Sequence, residues 1–310
     1  MVAVFSSSLP ERVGRLSGCD VTASAPLAPL TSVRVGGPAE ALVRPRSAEA
    51  LVALLHFARE EGVPVTVLGG GANTLVGDGG IPGLTVKLPG DLFPERTEVG
   101  AEEGVLTLGA GAAIVKLCNV MRSHGLVGAE FLAGIPGTLG GAVTMNAGTK
   151  NGECFRVVEA VEVATAEGLG WVAKADIPHG YRHTELPQGC VVTRVRFRLR
   201  KGDLAVSKKV MDDDLAYRKR SQPLSQPNFG SVFANPPGDH AGRLIESVEL
   251  KGQVIGRAQV STLHANWIVN LGGATARDVL SLLTLMQERV KQRHGVVLQP
   301  EVKRVGVFLP

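Results

Sequence analysis

Apolar residues fall at helical spacing in two long stretches of the chain and in short runs or alternation across most of the rest. Between Ser47 and Glu61, Leu51, Leu54, Leu55 and Ala58 line one stripe, which predicts a helix with Ser47 as N-cap and Glu49 in its first turn. Near the C-terminus Val279, Leu282, Leu283, Met286 and Val290 repeat with the same period and predict a helix from Thr275 to Arg293. Thr275 is its expected N-cap, and Gly295 lies just past its end. Further helices are predicted over 112–124 and 206–219, with a short amphipathic segment over 241–247. Strands are predicted at 41–43, 63–68, 84–88, 96–99, 105–109, 157–164, 191–200, 254–256 and 267–270. The order strand, helix, strand over 41–68 reads as a βαβ unit. Residues 1–30, rich in Ser, Pro and Ala and without a period, read as an extended lead-in. Pro223, Pro227, Pro236 and Pro237 break the chain and put a domain boundary near Ser221. No internal repeat of 20–50 residues is visible.

Composition narrows the class. A length of 310 residues suggests two domains, or two with a small third lobe, and 44% hydrophobic with 20% charged residues is ordinary globular usage. Only 4% of residues are aromatic, which argues against a single-strand nucleic-acid binder built on stacking platforms. The net charge of +4 invites a nucleic-acid reading, but the excess is local. Residues 191–220 hold ten Lys and Arg against four Asp. Such a patch fits one anionic ligand or a solvated face better than a long phosphate track. Arg194, Arg196, Arg198 and Arg200 alternate with Val195, Phe197 and Leu199, so they share one face of a strand, most simply a solvent face over a buried one.

Cys19, Cys118, Cys154 and Cys190 are widely separated, without the paired spacing of a zinc site or a dithiol, and read as small buried hydrophobes in a reducing compartment. The N-terminal residues lack the apolar core of a signal peptide, and no apolar run reaches the roughly 18 residues of a membrane span. The expected location is the cytoplasm. His179 and His183 are four apart, but Pro178 and Gly180 oppose a ligand-presenting helix, so they read as loop histidines and no metal is expected. His264 fits either a catalytic or a backbone-bonding role. No G-x-S-x-G elbow is present.

The chain has 39 glycines, and two glycine-rich blocks stand out. A predicted strand runs straight into Gly69-Gly70-Gly71, and Ala133-Gly134-Ile135-Pro136-Gly137-Thr138-Leu139-Gly140-Gly141-Ala142 follows about sixty residues later. A strand entering three glycines leaves N–H groups free of Cβ cover, as close approach of a phosphate requires. The pattern is neither a dinucleotide fingerprint, which needs a small residue where Thr74 stands, nor a P-loop, because no G-K-[ST] occurs. Tight turns between short strands account for either block alone. Two blocks, each followed by an Asn (Asn73, Asn146), favour a nucleotide site.

Taken in order, six strings are more specific. Val33-Arg34-Val35-Gly36-Gly37-Pro38, Leu68 to Val76, Gly134 to Ala142 with Met145-Asn146-Ala147-Gly148, Gly230-Ser231-Val232-Phe233 with Asn235-Pro236, His264 to Asn270, and Gln299 to Lys303 resemble the UDP-N-acetylenolpyruvoylglucosamine reductase family. The resemblance runs from about Thr31 to Gly306. It implies an α+β flavoenzyme of the vanillyl-alcohol-oxidase or PCMH type: two FAD-binding subdomains over 31–90 and 91–220, and a small α+β substrate-binding domain over 221–310. FAD would be held without a covalent bond by Gly69, Gly70, Gly71, Ala72, Asn73 and Thr74 and by Gly134, Pro136, Gly137, Thr138, Gly140 and Gly141. NADPH would reduce the flavin. The enolpyruvyl ether of UDP-N-acetylglucosamine would then be reduced to UDP-N-acetylmuramate. Neither nucleic acid nor membrane is an expected partner, and the chain is expected to be a monomer or weak oligomer.

The resemblance also implies site roles. Arg182 matches the catalytic arginine, Ser231 the proton donor and Glu301 the acid, with Tyr181, Asn146 and Asn235 near the substrate. A guanidinium suits a carboxylate on which charge develops, and a hydroxyl can protonate a strongly basic carbon. Glu301 would need a raised pKa to donate. A second pair, Tyr217-Arg218, lies in a predicted helix after three Asp and reads as an ion-paired surface feature. Ala72 replaces a usual Ser and Ala234 a frequent Lys, Thr149 to Glu153 departs from the family run, and 266–275 leaves no room for an extra covering loop, which suggests a less enclosed site. The basic patch is expected beside this site. The rival readings are a related FAD oxidase and a non-catalytic nucleotide-binding module.

Overall fold

In the computed structural model, which describes residues 5–6 and 8–309, three sheets of different construction surround one large cavity. The first sheet orders Cys19–Pro26, Pro38–Pro45, Ile81–Val86 and Val65–Val67. Pro38–Pro45, Ile81–Val86 and Val65–Val67 run parallel, with helix Ala48–Glu60 as the crossover, so the predicted βαβ unit is present. Ser47 caps that helix by accepting from Ala50 N at 3.1 Å, and Leu51, Leu54, Leu55 and Ala58 are buried on its inner stripe.

Within the lead-in expected over 1–30, residues 8–26 form a helix and an edge strand of this sheet instead. Helix Ser8–Gly14 buries Leu9 and Val13, and Cys19–Pro26 pairs antiparallel with Pro38–Pro45 along its length. Ser6 N–H donates to the buried carboxylate of Glu40 at 2.6 Å. Residues 8–26 are therefore structured parts of the first sheet and its cover rather than an extended approach to it.

The second sheet is antiparallel, in the order Gly168–Ala173, Val158–Thr165, Val191–Lys201, Glu103–Gly109 and Arg96–Val99. Helix Ile114–Ser123 and the long strand's Val195, Phe197 and Leu199 fill its core. On the opposite face Arg194 pairs with Glu162 at 3.1 Å, Arg198 with Glu159 at 2.8 Å and with Glu103, and Arg196 lies over the Trp171 ring at 4.4 Å. None of these arginines lines the cavity. The basic stripe is the ion-paired outer face of a sheet, not a neighbour of the site, because strand alternation commits its apolar partners to the core.

The third sheet, Asn228–Ser231, Trp267–Asn270, Ala258–Val260 and Val254–Ile255, packs against helix Ala276–His294. That helix has the predicted N-cap Thr275, which forms a capping box with Asp278, and ends on Gly295 at φ 72°. Two bonds tie it to the first subdomain: Asp78 Oδ1 accepts from Ala276 N at 2.8 Å and Oδ2 from Arg277 N at 3.0 Å. A carboxylate on free first-turn N–H groups also meets the positive end of the helix. Asp78→Ala is expected to lower stability by about 1 kcal/mol, with Asp78→Asn losing less; unchanged melting temperatures would contradict this docking role. No helix is long and apolar enough to cross a membrane among the described residues.

Candidate active site

The cavity, about 1160 Å³, lies where the two glycine blocks meet the third sheet. Strand Val65–Val67 delivers the first block and strand Thr74–Val76 leads away from it. The blocks press against each other. A Cβ on Gly70 would stand 2.6 Å from Gly137 Cα, and Gly71, at φ 62°, would drive one to 2.3 Å from Leu30 O. Glycine here is thus required by loop contact and backbone conformation as well as by any ligand.

The two blocks differ in what they offer. The N–H groups of Gly69 to Asn73 donate to no protein acceptor among the described residues. Five successive free donors on a cavity wall make a cradle for an anion. In the second block, Leu139 N bonds Ala112 O and Gly140 N bonds Ala110 O, both at 2.9 Å, while Gly141 N turns to the Thr138 hydroxyl at 3.4 Å. This stretch, expected as a loop, closes into helix Leu139–Thr144 with Thr138 as N-cap. Gly140 and Gly141 line the cavity with their N–H groups already engaged, so they contribute room rather than donors.

That helix leads to the corner that holds Arg182. Its end leads to Asn146, whose Nδ2 donates to Gly180 O at 2.9 Å and whose Oδ1 accepts from Phe155 N at 3.0 Å. Thr184 Oγ1 donates to Val143 O at 2.8 Å. These bonds fasten both arms of a hairpin in which His179 pairs Thr184 and Gly180 pairs His183. Tyr181 and Arg182 form its two-residue tip, with Arg182 at φ 57°. A left-handed conformation at a non-glycine is unfavourable by about 1–2 kcal/mol and persists only where the surroundings enforce it. Asn146, expected beside the substrate, is fully buried and outside the cavity wall. It positions Arg182's hairpin instead.

From the tip, Arg182 Nε bonds Glu301 Oε1, and Nη2 donates to Gly148 O at 2.9 Å. Glu301 arrives from the far end of the chain because Lys303–Val305 pairs parallel with Thr74–Val76. Asn73 Nδ2 also donates to the Glu301 carbonyl at 3.0 Å, linking the first glycine block to the carboxylate's own backbone. Only 12% of Glu301's side-chain surface is exposed. Burial pushes its pKa above the usual carboxylate value, against the opposing pull of Arg182. Ser231 ends strand Asn228–Ser231, directly opposite Trp267 in the ladder. Arg182, Ser231, Glu301 and Asn235 all line the cavity, whereas exposed Tyr181 borders a smaller one beside it, under the Arg182 guanidinium.

Arg218 is the functional candidate that the sequence reading set aside. It is half-buried and lines the cavity, its Nε donating to Gln222 Oε1 at 3.0 Å, while Nη1 is buried without a partner among the described residues. Nη1 stands 3.3 Å from where a Gly134 Cβ would be. Burial lowers its pKa, with Asp214 opposing. Trp267 Nε1, on another residue of this wall, is a second buried donor without a partner among the described residues. Orphaned donors around a cavity, with the free N–H groups of 69–73, fit a large ligand rich in acceptors, as FAD is.

The remaining candidates resolve into structure. His264 Nδ1 accepts from Asn266 N at 3.2 Å within a turn. His179 bonds Ile177 O at 2.7 Å and stacks on Phe155. Burial pushes the Cys118 thiol up to about 11 and Cys154 up to about 12, the opposite of an activated nucleophile.

The FAD binding domain family matches residues 39–171, and the UDP-N-acetylenolpyruvoylglucosamine reductase C-terminal domain family matches residues 222–305. UDP-N-acetylenolpyruvoylglucosamine reductase of Myxococcus xanthus (strain DK1622) is 77% identical over 99% of this chain and 99% of its own. The chain belongs to the UDP-N-acetylenolpyruvoylglucosamine reductase family. A relative of the same name in Anaeromyxobacter sp. (strain Fw109-5) is 56% identical over 93% of this chain and 90% of its own. The crystal structure of UDP-N-acetylenolpyruvylglucosamine reductase from Thermus caldophilus superposes with a TM-score of 0.78 at 36% identity, over 93% of this chain and 99% of that one. This reductase is an FAD-dependent oxidoreductase of α+β fold, acting in peptidoglycan precursor synthesis.

Proposed function

We propose that this reductase takes reducing equivalents from NADPH and reduces the enolpyruvyl ether of UDP-N-acetylglucosamine at the corner formed by Arg182, Glu301 and Ser231. The observation that carries the reading is their convergence on the cavity whose wall also holds the free N–H run of Gly69 to Asn73. That run would take the FAD pyrophosphate, and Arg218 Nη1 an acceptor elsewhere on the flavin nucleotide. Bound there, FAD supplies the hydride chemistry that no side chain offers.

The protein's part is to bind, to hold charge and to deliver a proton. Hydride added to C3 of the enolpyruvyl group leaves negative charge on C2 and its carboxylate. Arg182, already oriented by Glu301 and Gly148, meets that carboxylate with a fork that a lysine cannot form. A substrate carboxylate on Arg182 weakens the ion pair with Glu301 and adds a like charge, and both effects push the Glu301 pKa further upward. Glu301 then takes up a proton more readily and donates it to the carboxylate as charge develops. Ser231 gives its proton to C2, completing the lactyl ether.

The decisive experiment is anaerobic. NADPH should bleach the flavin, and the enolpyruvyl sugar nucleotide should restore its colour; failure of that substrate to do so would exclude the reading. The acid role also sets a pH dependence. Because Glu301 acts in its protonated form, the substrate half-reaction should hold level on the acid side and slow as pH rises through the raised pKa. Glu301→Gln keeps a donor but removes the titration, so the alkaline fall should vanish from a slower enzyme. A fall that survives in Glu301→Gln assigns it to another group.

A further inference from the structure

Lys87 stands one residue beyond strand Ile81–Val86, which pairs parallel with Val65–Val67, the strand that feeds the first glycine block. From that neighbouring strand its half-buried side chain reaches across, and Nζ donates to Gly69 O at 2.5 Å. Lys87 is not part of the cavity wall, whereas Gly69, Gly70, Gly71, Ala72 and Asn73 are. The ammonium therefore stands behind the loop.

Two features make this placement unusual for a lysine. Among the described residues no carboxylate lies within ion-pair distance of it, while Arg44 is a charged neighbour of the same sign. Burial first, and Arg44 second, lower its pKa. A half-buried cation with no anion costs stability unless something else meets its field. The second feature is geometric. The peptide between Gly69 and Gly70 is trans, so fixing the Gly69 carbonyl toward Lys87 fixes the Gly70 N–H in the opposite direction. Gly70 is also the glycine pressed against Gly137, so this peptide is clamped from both ends.

We propose that Lys87 is a positioning residue for the FAD pyrophosphate: it turns the Gly69 carbonyl away from the ligand, presents the following N–H groups, and adds its charge to them from behind. This rests on the reading that the Gly69 to Asn73 run holds the pyrophosphate. The loop lacks the lysine that a P-loop sends around its front, and Lys87 supplies the cation through the peptide instead.

The test titrates the full-length protein, freed of flavin, with FAD and with riboflavin, which lacks the phosphates, following flavin fluorescence. In the wild type FAD should bind more tightly than riboflavin; equal affinities would remove the reading of the loop on which the proposal rests. Lys87→Met keeps the stem and removes charge and donor. FAD affinity should fall by about 10- to 100-fold, the range for a lost charge-assisted hydrogen bond, with riboflavin affinity unchanged. Lys87→Arg should restore FAD binding to within a few-fold. If Lys87→Met binds FAD as the wild type does, or loses both ligands in parallel, Lys87 is only a packing element and the proposal falls.

Discussion

Ser231→Ala should leave reduction of the flavin by NADPH at its normal rate and slow reoxidation by the enolpyruvyl substrate by about 10²- to 10⁴-fold, the usual contribution of a positioned general acid. The asymmetry follows from where the proton is needed. Only the substrate half-reaction leaves a carbon to protonate. The substitution is also conservative for the fold. Ser231 ends a strand fixed by its ladder with Trp267 and by Val232 N bonding Asn266 O at 3.0 Å, and its hydroxyl makes no hydrogen bond to the protein among the described residues. Alanine keeps the Cβ and leaves no buried partner stranded. A Ser231→Cys enzyme, with a weaker hydrogen-bond donor but a more acidic proton in the same place, should recover part of the lost rate. Stopped-flow measurement of the two half-reactions separates the cases, and equal slowing of both in Ser231→Ala would mean that the residue shapes the site rather than supplying the proton.

What could be read before the fold was known depended on how much burial each element undergoes. Helices Ala48–Glu60 and Ala276–His294 bury a full stripe, and their caps are written in Ser47, Thr275 and Gly295. Two of the strands that escaped notice are edges. Cys19–Pro26 buries one residue of eight, and Gly168–Ala173 buries none, so neither carries the alternation that marks a half-buried strand. Helix Leu139–Thr144 escaped for another reason: its glycines oppose helix formation, and the Thr138 cap with packing of Leu139, Ala142 and Val143 overrides them.

At the site, order along the chain pointed to Arg182, Ser231 and Glu301 as candidates, but no local signal could say that residues 119 apart form an ion pair. Asn146 was misplaced because an Asn after a glycine block is equally suited to a ligand and to a backbone anchor; only the position of the hairpin decides. Arg218 had a signal that went unused. Ser207 and Met211 are the buried positions of helix Leu204–Ser221, and Arg218, seven residues after Met211, shares their face. The preceding Asp212, Asp213 and Asp214 suggested ion pairs. Yet Asp212 and Asp213 pair with Lys208 and Lys209, and Asp214 accepts from Asn151.

Arg182→Lys carries the other large expected effect, a fall in kcat for the substrate half-reaction of about 10²- to 10³-fold, the scale of losing one preorganised donor to a developing oxyanion. Charge alone would be retained. What disappears is the fork: Nε committed to Glu301 and Nη2 to Gly148 O hold the guanidinium plane before substrate arrives. A lysine ammonium is a point charge on a flexible stem and cannot keep both bonds while facing a carboxylate. The loss should therefore appear mainly in kcat, because it removes stabilisation that grows as charge moves onto the carboxylate, with a smaller change in KM. The backbone at this position supports the same expectation. Asn146 and Thr184 hold the hairpin and its left-handed tip, so lysine should occupy the same conformation without refolding the loop. Asn146→Ala, by contrast, frees the Gly180 carbonyl and should reproduce much of the kcat loss with Arg182 still present. If Arg182→Lys raises KM and leaves kcat intact, the guanidinium merely holds the substrate and the charge-stabilising role passes to another donor.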